Sequence, residues 1–151
     1  MSSSPPNYIV GIGGSAGALN AYKALMKYLP WDSGMAFVIV SHVNPAAESQ
    51  LAKILSRHTK MPVTVASDAM PIEANHVYVI PADADLEVEK YFFKVITPRS
   101  RRNKQIDLFF VSLAETLGAH ATGVILPGYD GDGTRGRRPN KARGGHSVAP
   151  E

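Results

Sequence analysis

Three polar residues stand where apolar runs end: Ser15 after residues 8–14, His42 after residues 35–41, and Asp132 after residues 121–126. A serine hydroxyl is too weakly acidic to attack a carbonyl unaided. A neutral imidazole can take its proton, and a carboxylate can fix the imidazole tautomer and stabilise the imidazolium. Ser15, His42 and Asp132 are thus the three groups that an acyl-transfer triad needs. Each also has a plainer explanation. Ser15 could cap a following helix. His42, just before Asn44-Pro45, could bond a turn backbone. Asp132, between Gly131 and Gly133, could be a turn residue.

The stretch around Ser15 admits three mechanisms. Gly11-x-Gly13-x-x-Ala16 fits a dinucleotide fingerprint, with a pyrophosphate at the helix N-terminus. That reading also needs an acid at the end of the second strand, which instead ends Val40-Ser41-His42. Gly13-x-Ser15-x-Gly17 fits a nucleophile elbow, in which a sharp turn exposes a serine. The third mechanism is the helix cap. The motif alone leaves all three open. The other polar candidates are weaker. Ser41 and Asp83 could stand in as triad members, but nothing favours them. Asp130-x-Asp132-x-Thr134 hints at a calcium loop, yet Arg135 occupies the glycine position and Lys141 that of the bidentate acid. His58, His76, His120 and His146 show no ligand spacing.

The elements that must hold these residues follow from periodicity. Residues 8–14 read as a buried strand that runs into a glycine-rich turn. Ala18, Ala21, Tyr22, Leu25, Met26 and Leu29 form a helical stripe. Residues 35–41 are a second buried strand. Leu51, Ile54 and Leu55 mark a short helix. Residues 62–66 and 76–80 are further strands. Residues 86–88 and 92–96 alternate like an antiparallel edge hairpin. Ile106, Phe109, Phe110, Leu113, Ala114 and Leu117 mark an amphipathic helix, with Gly118 suited to its end. Residues 121–126 are the last clear strand. Strands alternating with helices predict an α/β fold: a doubly wound, mostly parallel sheet with helices on both faces and an antiparallel edge hairpin. In such sheets, sites form beyond the carboxyl ends of the strands.

Composition narrows the function classes. The chain has 151 residues, 44% of them hydrophobic, enough for one domain with one core. It has no cysteine, so neither a disulfide framework nor a thiolate metal site is available. No apolar run approaches the ~20 residues of a spanning helix, and residues 1–7 read as a polar tail without signal-peptide character. A cytoplasmic location is expected. The net charge of +3 comes from two basic clusters, at residues 94–104 and 135–143. With no nucleic-acid signature beside them, they read as solvated loop charge.

The order Ser, His, Asp differs from the Ser, acid, His order of α/β-hydrolases, and only seven residues precede Tyr8. The strand ends instead resemble the catalytic domain of the chemotaxis protein-glutamate methylesterases (CheB). Gly11-Ile12-Gly13-Gly14-Ser15-Ala16-Gly17 is similar to that family's nucleophile turn. Ser41-His42-Val43-Asn44-Pro45 is similar to its histidine segment, and Ile106 to Ser112 to its late helix. The segment from Gly123 through Asp132 to Thr134 resembles its aspartate loop, most of all the form found in hybrid methylesterase–methyltransferase proteins. The resemblance implies Ser15 as nucleophile, His42 as base and Asp132 as its orienter. It implies hydrolysis of glutamyl methyl esters, and often deamidation of glutamines, on methyl-accepting chemoreceptors, with no cofactor, no nucleic acid and no membrane insertion. It also implies a backbone N–H from the position of Tyr129 to the oxyanion. That position is typically methionine, and the residue after the serine is often threonine rather than Ala16. A backbone donor survives such changes, whereas a side-chain donor at position 16 does not. The expected domain spans residues 8–136. Pro139 falls inside the segment that should be the next helix. Residues 137–151 are therefore expected to be a truncated, irregular segment, with a strand beginning near Gly144. The alternative is a non-catalytic receptor-binding fragment of the same fold. A nucleotide-binding module is the third possibility.

Overall fold

The structure, a computed structural model, describes residues 4–15, 18–42, 48–99, 104–126 and 146–148. In chain order the elements are β1 (Tyr8–Ser15), α1 (Leu19–Tyr28), β2 (Met35–His42), α2 (Glu48–Ser56), β3 (Val63–Val65) and β4 (Val77–Val79). There follow β5 (Asp85–Glu89), β6 (Phe92–Ile96), α3 (Gln105–Leu117), a 3-10 turn (Gly118–His120), β7 (Ala121–Ile125) and β8 (His146–Val148). Six strands form one sheet in the order β3-β4-β2-β1-β7-β8, with every neighbouring pair parallel. This is the α/β doubly wound sheet that the alternation of elements predicts.

β2 shows why the apolar runs become strands. Ala36 through Val40 are all fully buried, which requires cover on both faces of the sheet. Phe37 and Ile39 face one core, with Tyr22 and Met26 of α1 and Leu51 and Leu55 of α2. Ala36, Val38 and Val40 face the other, with Phe109 and Leu113 of α3 and Leu86, Val88 and Phe93 of the hairpin. Each such aliphatic or aromatic side chain contributes about 1.5–3 kcal/mol by leaving water.

The glycines of β1 serve a different purpose from the one their clustering suggests. The strand stays extended through Gly11, Gly13 and Gly14 to Ser15 and does not turn at them. Among the described glycines only Gly34 and Gly118 have positive φ. What β1 needs is room. A Cβ at Gly13 would lie 2.7 Å from Ile106 Cγ2, and one at Gly11 would lie 3.0 Å from both the Phe109 and Phe110 rings. The missing side chains let α3 sit directly on β1 and bring its first turn to the rim beyond Gly13.

The hairpin is antiparallel, pairing Asp85 with Ile96 through Glu89 with Phe92. It forms a two-stranded sheet of its own rather than an edge of the main sheet. Its free edges are occupied. Residues 69–72 bond β6 and the turn residue before it, through Ala69 N to Phe93 O at 2.8 Å and Ile72 N to Tyr91 O at 2.8 Å. On the other side, Ser112 of α3 accepts from the Val88 amide at 2.8 Å, and the Thr116 hydroxyl donates to the Val88 carbonyl at 3.0 Å. The late strand expected near Gly144 is present as β8, parallel to β7. Among the described residues no helix is long and apolar enough to cross a membrane.

Candidate active site

Ser15 is the last residue of β1 and His42 the last of β2, and the two are registered partners across the parallel pair. Twenty-six residues separate them in sequence, and the β1–α1–β2 unit returns the chain to the neighbouring strand at the same height. On the other side of β1 lies β7, registered from Ile9 with Ala121 to Gly13 with Ile125. The Leu126 amide continues that ladder, donating to the Gly13 carbonyl at 2.8 Å. Leu126, the residue after β7, therefore stands at the same rim, one strand from Ser15. Ala16, Tyr129 and Asp132 themselves lie outside the described residues.

β1 is also where the direction of winding reverses. The connection through α1 leads to β2 on one side, while β7 and β8 lie on the other. Such a switch point is where open α/β sheets place their ligands.

This placement removes one explanation of Ser15. The cap residue of α1 is Ala18, and α1 begins at Leu19 with no side-chain cap bond. Ser15 stands in extended strand, so it is not the N-cap of this helix. Among the fallback residues, Ser41 pairs with Gly14, one position short of the strand end. Asp83 sits at a positive-φ turn before β5, where its carbonyl accepts from the Arg99 amide. His76 is held by the Ala74 carbonyl at 2.8 Å and lies 3.5 Å from Glu73, a local structural arrangement.

Behind Ser15 and His42, on the α1 side of the sheet, are two further hydroxyls. Tyr22 stands over Gly14, where an added Cβ would lie 2.8 Å from its phenol oxygen. Burial pushes the Tyr22 phenol far above its ordinary value, and the adjacent Ser41 hydroxyl lowers it in part. Neither oxygen has a hydrogen-bond partner of normal geometry among the described residues. Sequence reasoning places Tyr22 only as one member of an apolar stripe. The signal that it differs is its hydroxyl, which a purely apolar stripe has no use for.

A family model described as CheB methylesterase matches residues 10–151. The chain belongs to the CheB methylesterase family. Two curated relatives are each 31% identical to it. One is a protein-glutamate methylesterase/protein-glutamine glutaminase of Hydrogenovibrio crunogenus, matched over 90% of this chain and 38% of that protein. The other is protein-glutamate methylesterase/protein-glutamine glutaminase 2 of Saccharophagus degradans, matched over 95% of this chain and 43% of that protein. The chain thus spans about two-fifths of the length of these relatives. The crystal structure of the Thermotoga maritima CheB methylesterase catalytic domain aligns with a TM-score of 0.77 at 26% identity, covering 95% of this chain and 79% of that one. Membership of the CheB family accounts for the strand order and for the rim at which Ser15, His42 and the end of β7 meet.

Proposed function

We propose that this chain is a serine esterase that hydrolyses glutamyl methyl esters on methyl-accepting chemoreceptors in the cytoplasm, and that it also deamidates receptor glutamines. The observation that carries the reading is the registered pairing of Ser15 and His42 at the carboxyl ends of adjacent parallel strands. The names carried by its relatives supply the substrate class.

In the proposed reaction His42 removes the Ser15 proton as the hydroxyl attacks the ester carbonyl. Asp132 holds the imidazole in the productive tautomer and stabilises the imidazolium. The oxyanion is met by backbone N–H groups, for which Tyr129 and Ala16 are the candidates. Such donors are worth ~2.7–4 kcal/mol each in the transition state. His42 then protonates the departing methoxide. Methanol leaves an acyl-enzyme on Ser15, and water attacks it with His42 again as base. The products are free glutamate on the receptor and regenerated enzyme.

The test is methanol release from a methylated receptor, comparing this chain with Ser15→Ala. The proposal expects release from the unaltered chain and a fall of several orders of magnitude in the variant. Equal, background-level release from both would favour the receptor-binding alternative.

A further inference from the structure

Two buried oxygens lie directly behind the proposed nucleophile and base, and the reaction as written uses neither. Tyr22 is 1% exposed and Ser41 6%. The Tyr22 phenol rests on the bare backbone of Gly14, the residue before Ser15. Ser41 is the registered partner of Gly14 and the residue before His42. The two side chains are adjacent, close enough for the Ser41 hydroxyl to act on the Tyr22 phenol, but neither oxygen has a hydrogen-bond partner of normal geometry among the described residues. A buried hydroxyl pair held off normal geometry adds little to folding, whereas phenylalanine and alanine together would fill the same space with no polar group to satisfy. Packing therefore does not account for the two oxygens.

We propose that Tyr22 and Ser41 are positioning residues: a hydroxyl pair that fixes the ends of β1 and β2, and with them Ser15 and His42, at matched height. The pair joins three elements. Tyr22 comes from the second turn of α1, which the chain enters after Ser15. Ser41 belongs to β2, and Gly14 of β1 lies between them. Gly14 is what allows the contact, because a side chain there would lift the phenol off the strand. Any slip of β1 along β2, or any tilt of α1, separates two buried dipoles, which is costly. Proton transfer from serine to imidazole needs heavy atoms within about 2.6–3.2 Å, and a misplacement of about 1 Å can cost on the order of a hundredfold in rate. A clamp one residue behind both groups acts on that distance. This inference rests on the assignment of Ser15 and His42 under Proposed function.

The experiment measures labelling by a fluorophosphonate, together with ester turnover and thermal unfolding, for the unaltered chain, Tyr22→Phe, Ser41→Ala and the double variant. Each single variant leaves the other hydroxyl unpartnered and is expected to unfold at a slightly lower temperature, the double variant at an unchanged or higher one, and each takes one label at Ser15. The labelling rate constant of each single variant falls about tenfold, and kcat falls with KM unchanged. The double variant is expected to be no slower than the slower single one, because the pair works as a unit. Labelling of both single variants within about twofold of the unaltered rate would overturn the proposal. So would a rate loss that merely tracks a lowered unfolding midpoint. If the unaltered chain takes no label at Ser15, the underlying assignment fails and this inference fails with it, a result distinct from unchanged rates.

Discussion

At the residue scale, the glycines before Ser15 define the site by what they leave out. Gly13 admits Ile106 on the α3 side and Gly14 admits Tyr22 on the α1 side, so two helices grip the strand end from opposite faces. Gly13→Ala is expected to cost about 1–3 kcal/mol, because the new Cβ meets Ile106 Cγ2 at 2.7 Å and Ile125 Cδ1 at 3.2 Å in a packed layer. Chemical denaturation checks the loss, and a thermal midpoint lower by about 2–4 °C per kcal/mol should accompany it. An unchanged midpoint would mean that α3 does not press on β1 as described. The strand-end positions of Ser15 and His42 are legible from sequence because the polar residues break long apolar runs. The role of the glycines is not. A run such as Gly11-Ile12-Gly13-Gly14 suits a turn as well as a close approach, and only the rings packed against it distinguish the two.

At the scale of elements, α3 links β1 to the hairpin. Phe109 and Leu113 enter the core shared with β2 and the hairpin, while Ser112 and Thr116 on the adjoining face hold Val88 of β5. Ser112→Ala leaves the Val88 amide without that acceptor. The expected cost is about 1–3 kcal/mol, with faster hydrogen exchange at Val88 while the β1 and β2 amides keep their protection. Unchanged exchange at Val88 would show that the bond contributes nothing. The helix itself is legible from its 3.6-residue stripe, and the hairpin from its alternation. That the hairpin stands apart from the main sheet is not legible. Its outer pairing is with residues 69–72, a stretch lacking strand periodicity, and its other edge is closed by two hydroxyls on a helix.

At the scale of the molecule, the sheet order places β1 between β2, which ends at His42, and β7, which ends at Ile125. This much followed from reading alternating strands and helices as a doubly wound sheet, in which polar residues at strand ends gather on one rim. The buried pair of Tyr22 and Ser41 could not be read in the same way, because their proximity depends on register across β1 and on the seating of α1. The central claim is that Ser15 and His42 act together as nucleophile and base. Peptide mass spectrometry after fluorophosphonate treatment of the unaltered chain and of His42→Ala tests it most directly. The account predicts one adduct per chain, on the peptide carrying Ser15, formed at least about a hundredfold more slowly in the variant. An adduct on another serine, or equal rates in the two proteins, would contradict it.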